Sequence, residues 1–187
     1  MRRVLVIDAY RPDDPDRQAV DEAVTALAGR GHEVTRIELV SDGFIPAMTV
    51  AEREAYHADE NIVSDEVRRS ADLVRDADAL LFAYPTTTFT MPQIMKAWLE
   101  RVLLPGVAFV FDSAGRVAPG MTNIRRIGIV TTRPHGRVAT ARARDSGRAA
   151  ILRALRLSCA RTCRRTFVAM PTGRVDAARI RRRFARW

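Results

Sequence analysis

The chain has few of the residues that link a protein through disulfides or metal ions. Its 187 residues include two cysteines and three histidines. Cys159 and Cys163 are four residues apart in a segment whose apolar spacing predicts a helix, and a helix spaces them poorly for a disulfide. No second Cys/His pair follows that could complete a zinc site. We therefore expect two partly buried free thiols and no metal-binding residues.

Long apolar runs are also missing. No run approaches the roughly 20 residues that a membrane span needs. The apolar run near the N-terminus, Val4 to Ile7, is too short for a signal peptide. The length suits one domain, residues 1–187, with a sizeable core. These observations predict a cytoplasmic protein that does not associate with membranes.

Lysine is nearly absent, so arginine carries the positive charge. Lys96 is the single lysine, and the formal net charge is +9. The excess lies after Arg125 and ends in the arginine-rich segment 179–186. Such a segment can bind nucleic acid, but neither an aromatic-rich RNA-binding surface nor a helix-turn-helix pattern accompanies it. We expect a solvated helix face rather than nucleic-acid binding, and a basic binding module stays open as an alternative.

The first 40 residues have the pattern of a βαβ unit. Val4 to Ile7 is typical of a buried strand, residues 17–30 have helical apolar spacing, and residues 32–39 alternate like a second strand. Further strands are predicted at 79–83, 126–132 and 167–170, a hairpin at 108–117, and helices at 49–56, 64–75, from 92 onward, 146–163 and 176–185. This order predicts an α/β fold with a doubly wound five-stranded parallel sheet and helices on both faces.

Three polar loops follow the strands that end at Ile7, Ala83 and Val130. In open α/β sheets, ligands bind at the carboxyl ends of the strands. A planar ligand there would need hydroxyls, main-chain N–H groups and an aromatic wall. The candidate side chains are Tyr10, Arg11, Asp13, Asp14 and Asp16 in the first loop, Thr86, Thr87, Thr88 and Phe89 in the second, and Thr131, Thr132, Arg133, His135 and Gly136 in the third.

One stretch links these loops to a known family. Tyr84-Pro85, the run from Phe89 to Val102, and the run from Pro105 to Phe109 together resemble the flavodoxin-like NAD(P)H:quinone oxidoreductases. Residues 51–57, 112–116 and 131–132 support the resemblance. It implies a flavodoxin-like fold with a flavin, FMN or FAD, at the three loops. It also implies hydride transfer from NAD(P)H through the flavin to a quinone or similar acceptor, and a homodimer with the active site at the subunit interface.

The resemblance also implies roles for individual residues. Phe89 would pack on the flavin, and threonine hydroxyls would bind its carbonyl groups. Tyr10 and His135 would polarise the acceptor and are the predicted catalytic residues. The predicted cofactor-binding residues are Asp16, Arg17, Pro85, Thr86, Thr87, Thr88, Phe89, Thr131, Thr132, Arg133 and Gly136.

The first loop departs from the family pattern. Relatives carry a serine and an asparagine that hold the flavin phosphate at the start of the following helix, where amide donors favour anions. Here that place is taken by Asp14-Pro15-Asp16, preceded by Asp13. Asp14 or Asp16 is a natural helix N-cap. The departure leaves a second reading open, in which the fold is kept and the flavin lost. The crevice would then serve as a partner surface, or Asp14, Asp16, Tyr10, Arg133 and His135 would carry out acid–base chemistry on a polar substrate.

Overall fold

The structure is a computed structural model that describes residues 1–58 and 60–187. Five parallel strands form the central sheet in the order β2-β1-β3-β6-β7, and β4 and β5 form a separate antiparallel hairpin. The strands are β1 (Arg3–Asp8), β2 (Glu33–Glu38), β3 (Ala79–Pro85), β4 (Phe109–Phe111), β5 (Val117–Pro119), β6 (Arg126–Arg133) and β7 (Arg164–Pro171). The predicted doubly wound sheet is confirmed, and the hairpin lies where its turn sequence indicated.

Within the described residues, six α-helices lie between strands and a seventh follows β7. They are α1 (Gln18–Ala28), α2 (Val50–Ala55), α3 (Asp65–Asp76), α4 (Gln93–Val102), α5 (Arg137–Ala143), α6 (Ser146–Ala149) and α7 (Ala177–Phe184). A 3-10 turn, Pro15–Arg17, leads into α1. A π-helical turn and a 3-10 turn continue α6 as far as Ser158. No helix in residues 1–58 and 60–187 is long and apolar enough to cross a membrane.

The prediction of a helix through residue 163 is wrong beyond Ser158. Cys159 forms a β-bridge with Met121, whose amide donates to the Ser158 carbonyl. These tertiary contacts take up the main-chain groups that a continuing helix would need. Cys159 and Cys163 are therefore not on one helix; both are buried and free, and their thiols donate to the Leu155 and Arg164 carbonyls at 3.7 and 3.9 Å. The neighbouring Cys163 thiol and burial raise the pKa of the Cys159 thiol.

The strand β3 shows how the sheet is buried on both sides. Leu80 and Phe82 pack into the core that also contains side chains of α3 and α4. Leu81 and Ala83, which point the other way, pack into the core formed with α1 and α7. A strand covered on both faces reads as a continuous apolar run, which is the pattern that the sequence showed. The predicted placement of helices on both faces is confirmed.

A buried arginine ties the long connection between β2 and α3 to α4. Arg101 on α4 donates to Glu52 of α2 at 2.6 Å and to Glu66 of α3 at 3.1 Å. It also donates to the Ile45 carbonyl, and its guanidinium lies 4.9 Å from the centre of the Phe44 ring. Arg101 and Glu52 are less than a tenth exposed. The sequence showed no sign of this network, because the partners of Arg101 are 35 to 57 positions away from it along the chain.

Candidate functional site

The three predicted loops meet at one edge of the sheet. β3 lies between β1 and β6, and the register aligns Asp8 with Ala83 and Pro85 with Thr132. The carboxyl ends of the three strands are therefore neighbours. We call the first loop residues 9–14, the second loop residues 86–92 and the third loop residues 134–136.

Tyr10 bridges the first loop and β6. Its side chain is buried, its hydroxyl accepts from the Thr132 amide at 2.9 Å, and it lies 3.2 Å from the Thr132 hydroxyl. Burial raises the pKa of Tyr10 well above its usual value, against the opposing effect of the Thr132 contacts. Tyr10 is therefore a neutral phenol engaged within the protein. Its predicted catalytic role remains a prediction, and the hydroxyl is not free to reach an acceptor in this arrangement.

Asp8 positions Tyr10 and was missed by the sequence reasoning. Its fully buried carboxylate accepts from the Tyr10 amide at 2.9 Å and from Arg36 at 2.6 Å, and Arg17 lies 4.0 Å away. Burial raises the pKa of Asp8, while the Tyr10 amide and the two arginines oppose the shift. The one available signal was an aspartate that directly ends an apolar strand.

The threonines at the ends of β3 and β6 form a closed floor. Thr86 and Thr131 have their hydroxyls 2.8 Å apart, and the Thr86 amide donates to the Thr132 carbonyl at 2.7 Å. All three side chains are buried. The structure thus brings these predicted cofactor-binding residues together; the Thr86 and Thr131 hydroxyls face each other, and the Thr132 hydroxyl lies beside that of Tyr10. Pro85, the last residue of β3, is half-buried.

The second loop contains a tight turn with two non-glycine residues in the left-handed region. Thr87 and Thr90 exchange main-chain hydrogen bonds of 3.0 and 2.9 Å, and Thr88 and Phe89 have φ angles of 47° and 61°. Such conformations cost about 1–3 kcal/mol each and collect at functional sites. The Ser146 amide holds the turn by donating to the Phe89 carbonyl at 3.2 Å. Thr87 and Thr88 are exposed, and their hydroxyls form no hydrogen bond within the described part of the chain.

Phe89 and His135 stack where the second and third loops meet. Their ring centroids are 4.3 Å apart with an interplanar angle of 21°, which joins the second loop to the third. Phe89 is half-buried, His135 is exposed, and the space beside Gly136 is open. The pair forms a flat aromatic surface next to the free hydroxyls of Thr87 and Thr88. Arg133, which precedes the third loop, is half-buried and engaged in contacts of its own.

The segment around α6 covers the end of β3. A Cβ atom added at Gly147 would lie 2.8 Å from the Met91 amide nitrogen and 3.2 Å from the Tyr84 hydroxyl. The Tyr84 hydroxyl is buried and has no hydrogen-bond partner among the described residues. Burial raises its pKa, and the charge of Asp145 adds to the shift. Sequence reasoning did not place residues 145–147 near the crevice.

The acidic residues of the first loop are used to build the start of α1. The Asp14 carboxylate accepts from the Asp16 amide at 2.9 Å and is the N-cap that the sequence suggested. The Asp16 carboxylate is buried and accepts from the Gly173 amide at 2.8 Å. Arg17 pairs with Glu38 at 2.6 Å. The two predicted cofactor-binding residues Asp16 and Arg17 are therefore engaged by the loop after β7 and by β2.

Comparison with known proteins agrees with this architecture. Residues 2–169 match the family model described as flavodoxin-like fold. The chain belongs to this flavodoxin-like family. Among solved structures, an NAD(P)H:quinone oxidoreductase from Methanothermobacter marburgensis superimposes with a TM-score of 0.80 at 17% identity, covering 98% of this chain and 96% of that one. An FMN-dependent NADH-azoreductase from Bacillus anthracis, in complex with FMN, gives 0.72 at 12% identity, covering 100% and 95%.

Curated relatives of the flavodoxin-like chain are quinone reductases by name. NAD(P)H dehydrogenase (quinone) 1 of Rattus norvegicus is 30% identical over 127 residues, 59% of this chain and 46% of that protein. FMN-dependent NADH:quinone oxidoreductase 2 of Pseudomonas fluorescens is 35% identical over 72 residues, 37% of this chain and 35% of that protein. The chain thus spans less than half of the length of these relatives.

The residues of the three loops suit the ring system of FMN better than they suit its phosphate. The stacked Phe89–His135 pair and the free hydroxyls of Thr87 and Thr88 suit a flat, hydrogen-bonding ring. The first loop does not suit the phosphate, because the Asp14 carboxylate already caps the chain where amide donors would be needed. The residues present therefore fit a flavin ring system and provide no phosphate site in the first loop.

Replacing Tyr10 with phenylalanine is expected to reduce the free energy of unfolding by about 1–3 kcal/mol, because the buried Thr132 amide loses its acceptor. Chemical denaturation of wild type and variant measures the difference. Tyr84→Phe is the matched control, because the Tyr84 hydroxyl has no partner to lose. That variant should be as stable as the wild type or more stable. Equal losses in the two variants would contradict the bridging role of Tyr10.

Proposed function

We propose that this flavodoxin-like protein is a flavin-dependent NAD(P)H oxidoreductase that passes hydride to a quinone or similar acceptor. The observation that carries the proposal is the Phe89–His135 stack, which provides a flat aromatic surface where three strands end. The family membership and the quinone-reductase names of the relatives support the same activity. FMN is the flavin that the names of several relatives specify.

The residues of the crevice divide into those that hold ligands and those that shape the floor. Phe89 packs against the flat ligand, and Thr87 and Thr88 donate hydrogen bonds to heteroatoms at its edge. A bound flavin supplies the hydride chemistry, and the protein supplies orientation. His135 donates a proton or hydrogen bond to the oxygen of the acceptor that gains negative charge. The buried, neutral Tyr10 links the first loop to β6 and helps to exclude water from the interior beneath the loops.

The protein is a cytoplasmic homodimer in this proposal. Support for dimerisation comes from the β4–β5 hairpin, where Phe111 and Val117 are 59% and 68% exposed. Large exposed apolar side chains close together often mark a protein–protein contact. Two buried free thiols support a reducing compartment.

Acid–base catalysis by the first loop has less support. The carboxylates of Asp14 and Asp16 accept main-chain hydrogen bonds that hold the start of α1 and the loop after β7. Neither one is free to take a proton from a substrate without breaking these contacts.

Flavin titration and a quinone-reduction assay test the proposal. We expect FMN to bind with visible flavin absorbance and NADH to be consumed with a quinone. Phe89→Ala should weaken flavin binding on the order of tenfold, because an aromatic contact and its buried area are lost. His135→Ala should lower quinone reduction more than flavin binding.

His57→Ala is the matched control for the histidine variant. His57 is also exposed and also contacts an aromatic ring, that of Tyr56, but it lies on the connection after α2. This variant should retain wild-type activity. Protein that stays colourless and inactive with excess FMN and FAD would overturn the proposal.

A further inference from the structure

A cavity lined by four arginines lies at the edge of the sheet opposite the candidate crevice. It has a volume of about 260 Å³, and its lining residues are Arg2, Arg125, Arg126, Thr162 and Arg164. Arg2 precedes β1, while Arg126 and Arg164 are the first residues of β6 and β7. We call it the arginine cavity. Because it lies at the amino ends of the strands, it is separate from the three loops.

The sheet register places two of these arginines side by side. Arg126 and Arg164 are paired neighbours in the parallel ladder between β6 and β7. Two positions along, the next pair on the same face is Gly128 and Thr166, which contacts the indole of Trp187. Arg126 and Arg164 therefore lie on the same face of the sheet as Gly128 and Thr166. Trp187 and α7 pack on this face farther along the strands, and the two arginines lie at the border of that packed region.

Three of the four arginines of the arginine cavity have no carboxylate partner among the described residues. Arg125, Arg126 and Arg164 form no ion pair within residues 1–58 and 60–187, and Arg2 donates to a main-chain oxygen of Trp187, the last residue of the sequence. Three less exposed arginines elsewhere, Arg17, Arg36 and Arg101, each pair with one or more carboxylates.

The pKa values of Arg126 and His32 reflect the positive charges around them. Burial together with Arg2 and Arg164 lowers the pKa of Arg126. Burial lowers the pKa of His32, and the charges of Arg2, the Met1 amino group, Arg126 and Arg30 add to the shift; neither ring nitrogen of His32 has a hydrogen-bond partner in the described part of the chain. Like charges gathered without a counter-charge destabilise the folded state, and an anion in their midst would reverse this.

We propose that the arginine cavity binds a small anion with one or two phosphate groups. Guanidinium groups offer paired N–H donors that match phosphate oxygens, and they remain charged at all physiological pH values. The Thr162 hydroxyl adds a neutral donor. The volume lies just below the range of roughly 300–1,000 Å³ typical of sites for drug-sized ligands, which suits phosphate or pyrophosphate rather than a whole nucleotide.

Calorimetry with inorganic phosphate and pyrophosphate at constant ionic strength tests the proposal on the full chain. The wild type should bind pyrophosphate more tightly than phosphate, and either anion should raise its Tm. In the Arg126→Gln, Arg164→Gln double variant, pyrophosphate affinity should fall by on the order of tenfold or more, because two charged donors are removed. Without added anion, the Tm of this variant should equal or exceed that of the wild type, because repulsion is relieved.

The matched control removes two charges outside the cavity. Arg182→Gln, Arg183→Gln changes two exposed arginines of α7 that form no ion pair within the described residues. This variant should bind pyrophosphate like the wild type. If the cavity double variant does not fold, the single change Arg125→Gln, at a position before β6, should still weaken binding by several-fold.

Three results would overturn the site. Chloride at the same ionic strength could raise Tm as much as pyrophosphate does. The two double variants could lose affinity equally, which would indicate a diffuse charge effect. A short DNA duplex could bind with a steep salt dependence while pyrophosphate does not bind, which would make the basic face a nucleic-acid contact. Because none of these measurements uses flavin or quinone, failure of the anion site and failure of the proposed oxidoreductase activity are distinguishable.

Discussion

Replacing Arg101 with methionine is expected to reduce the free energy of unfolding by about 3–5 kcal/mol, the usual cost of leaving one member of a buried ion pair without its partner. In the variant, the buried Glu52 carboxylate would lack the cation that lies 2.6 Å away in the wild type. The Ile45 carbonyl would lose a donor as well. Urea denaturation of wild type and variant at pH 7 measures the loss. A loss under 1 kcal/mol would contradict the network.

The pH dependence of stability and a control variant show whether the Arg101–Glu52 ion pair causes this loss. Burial tends to raise the pKa of Glu52, but the hydrogen bonds from Arg101 and from the Thr49 amide bring it below its ordinary value of 4.5. The resulting stabilisation is complete above that value and is lost as the pH falls through the lower, folded-state pKa. The difference between wild type and variant should therefore shrink in acid. Glu66→Gln removes a more exposed partner of Arg101 and should cost about 1 kcal/mol or less.

Riboflavin is expected to bind this protein about as tightly as FMN. The two molecules differ in a phosphate, and the first loop offers carboxylates in the place where relatives are expected to hold it. Asp13 is exposed, and its hydrogen bond from Arg11 keeps its pKa low, so it is ionised at neutral pH. Asp14 already fills the capping position. Fluorescence titration with both flavins measures the ratio of their dissociation constants.

The double variant Asp13→Asn, Asp14→Ser should restore discrimination between the flavins. Serine keeps the N-cap, while both negative charges are removed and Arg11 is released. FMN affinity should rise by on the order of tenfold, and riboflavin affinity should stay the same, because only the phosphate meets these charges.

The control for this experiment is Asp72→Asn, Asp176→Ser. Asp72 pairs with Arg75, and Asp176 caps α7, so the same two kinds of group change away from the crevice. Neither flavin should be affected. Wild-type protein that binds FMN far more tightly than riboflavin would contradict the assignment of the first loop.

The strands and most helices follow from local sequence, because burial imposes a period on the apolar residues. The run 79–83 is buried on both faces, and its continuous apolar pattern predicts a central strand correctly. The predicted helix through Cys163 shows the limit of this reasoning. Its apolar spacing extends past Ser158, but the bridge between Met121 and Cys159 captures the main chain. A contact 38 positions away leaves no trace in a local pattern.

The candidate site was likewise predictable from sequence only in part. Strand order and loop position follow from the βαβ pattern, so the meeting of the three loops at one edge was predictable from sequence. The partners of the side chains were not. Tyr10 is taken up by Thr132, and Asp16 by the Gly173 amide, through contacts that span 122 and 157 positions.

The sequence by itself determined the family, the parallel sheet and the edge at which the three loops meet, because these depend on periodic burial and on the order of the elements. Its shortage of lysine and its late arginines were visible as composition. Only the tertiary structure decided that Arg2, Arg126 and Arg164 converge on one cavity and that Phe89 stacks on His135. The physical reason is that charge pairing and ring stacking act over a few ångströms in space, between residues that the chain order does not bring together.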